Sequence, residues 1–234
     1  MAQHRRHLKR HSMPTSWPTH RKTHTFVTKP HPGSMQMKYV VPVVVLLRDV
    51  MGVVYTTKEA KYVVQNKFIT INGTPAKTVK SPIGMFDVVE ISKMNKKFIF
   101  VFNTLGRIKL IDVSDNLLYA KVTKKTLVKG GSTQINTMNG YNVIVNSKEA
   151  AKITTNATIV VDILSKKIKS TLPLDVKSQV YVMDGKYRGQ YGVVKEFTHY
   201  NGVAPDLVTL QIGDVEHITA KEYCYVIDSS RRVD

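Results

Sequence analysis

From Met1 to Arg48 the chain carries no Asp or Glu, yet it holds nine Lys or Arg (Arg5, Arg6, Lys9, Arg10, Arg21, Lys22, Lys29, Lys38 and Arg48), six His and five Pro. A stretch so poor in apolar groups cannot offset the roughly 1–2 kcal/mol per residue lost on fixing a backbone. Residues 1–40 are therefore expected to form an extended, disordered basic arm until a polyanion orders them. The folded body must come from the residues beyond the arm.

The bias continues through the chain, with 35 Lys+Arg against 17 Asp+Glu in 234 residues and a net charge of +18. Nucleic acid is the first partner that such a balance points to. A membrane surface fits less well, because neither a basic amphipathic helix nor a lipidation motif is visible. The longest apolar run, Val40 to Leu47, is interrupted by Pro42 and falls far short of the roughly 20 residues of a membrane span. A transit peptide would also be acid-poor and Arg-bearing. Residues 1–38, however, lack an apolar helical stripe and contain Pro14, Pro18, Pro30 and Pro32, so the arm is read as retained.

One cysteine, Cys224, rules out an internal disulfide and a cysteine-rich zinc site, and its setting between Tyr223 and Tyr225 reads as a buried small hydrophobe. The arm histidines His4, His7, His11, His20, His24 and His31 match no metal-ligand spacing. No metal, cofactor or small-molecule substrate is expected.

Beyond the arm, Val41–Val54 and Thr56–Gln65 predict two short helices, the second opened by Thr56 with Glu59 at capping-box spacing. Phe68–Ile71, the Asn72-Gly73 turn and Asp87–Ile91 predict a strand, a tight turn and a returning strand. Period-two alternation then appears at Phe98–Phe102, Ile108–Val113, Gln134–Thr137, Tyr141–Val145 and Ile159–Ile163, separated by turn residues. The expected architecture is mainly β with a small α+β module. It comprises an arm (1–40), a helix-pair module (41–92), a central β domain (93–173) and a C-terminal small β barrel (174–234).

The segment from Val180 to Val194 sets Lys186, Tyr187 and Arg188 in a loop between two strands, with Gly185, Gly189 and Gly192 around them. Glycines there permit positive φ or close backbone approach, while Lys and Arg suit phosphates and Tyr suits a base. A tight barrel would need such glycines whatever it bound, but the charged, aromatic loop tip favours RNA contact. Trp17 reads equally as an aromatic anchor on RNA or as a plug in a crevice of the body. Lys93 with Lys96-Lys97, Lys124-Lys125 and Lys166-Lys167-Ile168-Lys169 read as solvated faces.

The Val180–Val194 segment resembles the KOW motif shared by ribosomal proteins and transcription elongation factors. Residues 41–91 resemble the RNA-binding fold shared by ribosomal protein S-four, some pseudouridine synthases and tyrosyl-tRNA synthetases. The arrangement of Arg5-Arg6-His7-Leu8-Lys9-Arg10, Pro14, Trp17, Lys29-Pro30, Gly33, Pro42, Leu47-Arg48, Gly84 with Asp87-Val88, Thr104–Arg107 and the KOW segment is similar to one family over almost the whole chain. That family is the archaeal and eukaryotic small-subunit ribosomal protein S-four-e.

The resemblance implies a structural, non-catalytic protein that binds small-subunit rRNA beside neighbouring ribosomal proteins. It implies a cytoplasmic location on the ribosome, with a nucleolar stage during assembly in a eukaryote. The RNA-contacting set expected is Arg5, Arg6, Lys9, Arg10, Trp17, Arg21, Lys22 and Lys29 in the arm, Arg48, Lys58, Lys61 and Lys67 in the helix-pair module, and Lys186, Tyr187 and Arg188 in the KOW loop. Two departures stand out: Val50, Met51 and Gly52 replace the further basic residues family members often carry after Arg48, and the chain ends at Asp234 where eukaryotic members usually continue into a basic tail. The alternatives are a KOW-containing elongation factor, which leaves the arm and helix pair unexplained, and an RNA-modification protein. No P-loop, nucleophile elbow or dinucleotide fingerprint supports an enzyme.

Overall fold

The computed structural model describes residues 7–20, 22, 24–200, 202 and 204–228. The chain divides into two compact units, one running up to Val101 and including Gly106–Asp115, the other formed by Phe102–Leu105 with Asn116 onward.

In the first unit the described residues of the arm are folded, where an extended, disordered segment was expected. Strands β1 (Leu8–Lys9) and β2 (Phe26–Val27) pair antiparallel, Leu8 against Val27. Between them Trp17 is only 3% exposed and donates its indole N–H to the Val40 carbonyl at 3.0 Å. Asp49, the first acid of the chain, accepts from Thr19 Oγ1 at 3.2 Å. Composition averaged over forty residues hides this, because a few apolar side chains (Leu8, Trp17, Val27, Met35 and Tyr39) are all buried.

β3 (Val40–Pro42) takes three of the residues expected in or beside the first helix and pairs them with Pro82–Gly84. Helix α1 is consequently short, Val43–Val45, and widens into a π-helical turn over Leu46–Val50, with the Met51 N–H reaching back to the Leu46 carbonyl. A run of β-branched valines is a weak helix former. Burial holds it instead, since Val43 to Leu47 are at most 1% exposed and each contributes about 1.5–3 kcal/mol of transfer free energy. α2 (Thr57–Gln65) comes next. The strands β4 (Ile69–Ile71), β5 (Thr74–Pro75), β6 (Pro82–Gly84), β7 (Val88–Ile91), β8 (Lys96–Phe102) and β9 (Ile108–Val113) complete this part.

All but β6 form one sheet in the order β5-β4-β7-β8-β9. The Asn72-Gly73 turn is pinned by Asn72 Nδ2 donating to Asp87 Oδ1 at 2.9 Å, while Asn72 Oδ1 accepts from the Val88 N–H. β7 and β8 pair directly, Val88 against Ile99, so this sheet continues across the expected boundary at residues 92 and 93.

The second unit holds two five-stranded antiparallel sheets. The first contains β10 (Leu117–Leu127), β11 (Thr133–Thr137), β12 (Val143–Val145), β13 (Thr158–Asp162) and β14 (Ile168–Leu172), in the order β12-β11-β10-β13-β14. Helix α3 (Ser147–Lys152) lies between β12 and β13 in sequence, and its Ala150 joins a core with Leu118, Ala120, Val122, Ile135 and Ile159. The other sheet contains β15 (Gln179–Val182), β16 (Tyr191–Thr198), β17 (Leu207–Ile212), β18 (Val215–Ala220) and β19 (Cys224–Val226), in the order β18-β17-β16-β15-β19. Its core is Leu174, Val180, Val182, Val194, Val208, Leu210, Cys224 and Val226.

Candidate nucleic-acid interface

Helix α2 presents exposed lysines. Its start is fixed by a capping box, in which Thr56 Oγ1 accepts from the Glu59 N–H at 3.2 Å and Glu59 Oε2 accepts from the Tyr55 and Thr56 N–H groups. The bond from Tyr55, along with the hydroxyl of Thr56, holds the Glu59 carboxyl below its ordinary range. The helix buries Ala60 and Val64. At 100° per residue, Lys58 and Tyr62 fall on the opposite side with Lys61 flanking them, and all three are exposed.

Tyr62, a candidate absent from the sequence-based set, is 59% exposed on the side opposite the apolar stripe. It meets Phe68 edge-on at 6.4 Å, and the Lys93 ammonium sits 4.3 Å from the same Phe68 ring. The helix closes with the Lys67 N–H bonded to Val64 and the Phe68 N–H to Val63, a Schellman arrangement that puts Lys67 at φ +56°. Lys67 thus occupies a left-handed position that favours glycine, and its side chain is exposed.

Other expected contacts are placed differently. Arg48 forms a two-pronged pair with Asp49, Nε to Oδ1 at 2.7 Å and Nη2 to Oδ2 at 3.0 Å, and the bond to Asp49 raises the guanidinium pKa. Its charge is matched within the fold. Trp17 lies in the crevice, not on the surface, so it offers no open face for stacking. Lys9 and Lys22 are exposed, and Arg10 and Lys29 are half-buried. Arg5, Arg6 and Arg21 lie outside the described residues.

In the second unit the loop between β15 and β16 carries Lys186, Tyr187 and Arg188. Lys186 is exposed. Tyr187 stacks on His217 with ring centroids 4.1 Å apart, and the Arg188 guanidinium lies 3.5 Å from the centre of the Phe102 ring. Both expected RNA contacts are therefore half-turned inward, leaving Lys186 as the outermost cation of the loop. Gly189 explains the tightness: at φ +83° its Cα faces the Asn103 carbonyl, and an added Cβ would stand 2.2 Å from that oxygen. No other residue fits there.

Among the described residues, no group of three or more His, Cys, Asp or Glu is placed to hold a metal ion, and no helix is long and apolar enough to cross a membrane. The arrangement offers cations, aromatic faces and hydroxyls on rigid elements, which suits the binding of a polyanion.

Residues 94–168 match the model of Ribosomal family S4e, and residues 3–34 match that of the RS4NT domain. The small ribosomal subunit protein eS4 of Methanocaldococcus jannaschii is 31% identical over 230 residues, covering 95% of this chain and 94% of that protein. The protein of the same name from Nanoarchaeum equitans is 30% identical over 212 residues, covering 89% of each. The crystal structure of 30S ribosomal protein S4e from Thermoplasma acidophilum superposes with a TM-score of 0.68 over 82% of this chain and 97% of that one. At 20% identity this last likeness concerns the fold alone.

Proposed function

The chain belongs to the S4e family of ribosomal proteins, and from that premise we propose that it is a structural constituent of the small ribosomal subunit that binds and stabilises folded rRNA during assembly and translation. The observation that carries this reading is similarity to archaeal eS4 proteins along nearly the full length of both chains, joined to a net charge of +18. The role asks for no catalysis. Its physics is phosphate neutralisation by the arm, the α2 face and the KOW-type loop, with neighbouring ribosomal proteins packing alongside.

The helix α1–α2 region acts in this reading as an S-four-type module, and the β15–β19 sheet as a KOW-type barrel. Paired RNA hides its informative base edges in a deep narrow groove, so selectivity comes from shape and from unpaired nucleotides. If about eight phosphates are neutralised, log Kd plotted against log salt concentration should have a slope of about 6 to 7.

The test is filter binding of the purified chain to small-subunit rRNA across a KCl series, together with sedimentation of cell extract. Tight, steeply salt-dependent binding and co-migration with the small subunit are expected. Absence of rRNA binding at modest salt, or migration with RNA polymerase, refutes the proposal.

A further inference from the structure

The folded arm of the first unit walls a cleft of about 880 Å³. Arg10, Lys22 and Arg107 place three cationic side chains along it, His11 and His20 add two imidazoles, and no carboxylate among the described residues lines it. Asp49 reaches the wall only through the Thr19 hydroxyl, and its own charge is matched by Arg48. The remaining lining is mixed in character: Met13, Trp17 and Pro18 are apolar, and Thr15, Ser16 and Thr25 bring hydroxyls.

Arg10 is held in place but not satisfied. Its Nη2 donates to the Thr19 carbonyl at 2.9 Å, while Nε–H is buried and makes no hydrogen bond among the described residues. A buried donor without an acceptor is a standing cost that a bound anion removes. The hydrogen bond from the Trp17 indole N–H to the Val40 carbonyl anchors the ring beside the cleft.

We propose that this cleft receives one extruded nucleotide of RNA, with the phosphate set against Arg10, Lys22 and Arg107 and the base against Met13 and Pro18, next to the buried Trp17 ring. The inference rests on the RNA-binding reading above and deepens it, turning a diffuse basic arm into a defined receptor. Three features argue for a nucleotide over a simple anion. The volume lies in the range of about 300–1,000 Å³ usual for small-molecule sites, the apolar wall suits a flat heterocycle, and hydroxyls are at hand for ribose or base edges. Unpaired bases splayed out of RNA are recognised by this combination.

Trp17 is the only tryptophan of the chain, so its emission reports on this cleft without a label. The full-length protein is titrated with AMP, with inorganic phosphate and with a short unpaired oligoribonucleotide, at an ionic strength held constant with KCl. A saturable change in Trp17 emission is expected from the oligoribonucleotide at a concentration at least tenfold below that needed for AMP, with phosphate weaker still. The variant Lys22→Gln/Arg107→Gln should weaken each at least tenfold while leaving the circular dichroism spectrum and the unliganded emission maximum unchanged.

Emission indifferent to all three ligands overturns the proposal, as does a response that survives in the double variant. AMP binding tighter than the oligoribonucleotide overturns the assignment to RNA in favour of a free-nucleotide site. Filter binding to rRNA run in parallel separates the two readings: rRNA bound with Trp17 silent sinks the cleft alone, whereas rRNA unbound sinks the wider function as well.

Discussion

Tyr181 and Tyr225 are direct partners across β15 and β19, and each phenol brackets the backbone of a different segment. Tyr181 Oη accepts from the Phe102 N–H at 2.8 Å and donates to the Phe102 carbonyl at 2.9 Å. Tyr225 Oη accepts from the Lys121 N–H at 3.1 Å and donates to the Tyr119 carbonyl at 2.8 Å. Both rings are fully buried, and burial pushes the Tyr181 phenol pKa up, so it remains a donor.

Removing either hydroxyl leaves a buried N–H and a buried carbonyl without that partner. Tyr181→Phe and Tyr225→Phe are each expected to lower stability by about 1–3 kcal/mol, read as a shift of the urea midpoint. A midpoint unchanged within error would show that the phenols only fill space.

Lys121 supplies a pH signature. Its ammonium lies within hydrogen-bonding distance of the Glu222 and Cys224 carbonyls, and burial lowers its pKa from 10.5 to about 8. Between those two values the unfolded chain holds a proton that the folded chain has released, so stability rises with pH across that window. Below about pH 8 both states are protonated and the cost of burying the charge is fully present. Lys121→Met removes this one titration. Plotted against pH, the stability difference between wild type and Lys121→Met should move in favour of wild type from about pH 8 to about pH 10, and a flat difference would refute the assignment.

Lys67 sets stability against binding. Glycine relieves the left-handed strain at φ +56°, so Lys67→Gly should raise stability by up to about 1 kcal/mol. The same change removes an exposed cation beside the α2 face and should reduce the salt slope of rRNA binding by about one. Thermal melts and a KCl series check the two halves separately.

Tyr62 tests whether the α2 face uses stacking as well as charge. Tyr62→Ala should weaken rRNA binding by about 1–3 kcal/mol, the scale of one base on an aromatic ring, while stability moves by no more than about 0.5 kcal/mol. Tyr62→Phe should restore affinity and Tyr62→Leu should not. Rescue by leucine would point to a protein neighbour on this face.

Much of the fold was legible because its signals are local. The capping box of α2 stands where Thr56 and Glu59 predict it, Ile108–Val113 is a strand with those limits, and Asn72-Gly73 turns as its residues require. β10 went unseen because its first half, Leu118 to Val122, is a continuous buried run with no alternation, while its second half is exposed throughout. α3 is six residues long, too short to impose a period. Of the candidate site, the lysines of α2 entered through the resemblance to the S-four RNA-binding fold, and only the start of the helix that carries them was legible in the residues themselves. The fates of Trp17 and Arg48 were not, since one depends on the Val40 carbonyl 23 residues away and the other on whether Asp49 turns toward its neighbour.

Cys224 has practical weight in this setting. Its thiol is fully buried in the core of the C-terminal sheet, and burial pushes its pKa up to about 11, so the chain's single sulfhydryl is shielded from alkylating reagents while that sheet is closed. A cysteine introduced at Lys58, Lys93 or Lys186 would then be the one site that accepts a tethered cleavage reagent or fluorophore. Distances from each basic surface to individual rRNA nucleotides become measurable on an otherwise native polypeptide.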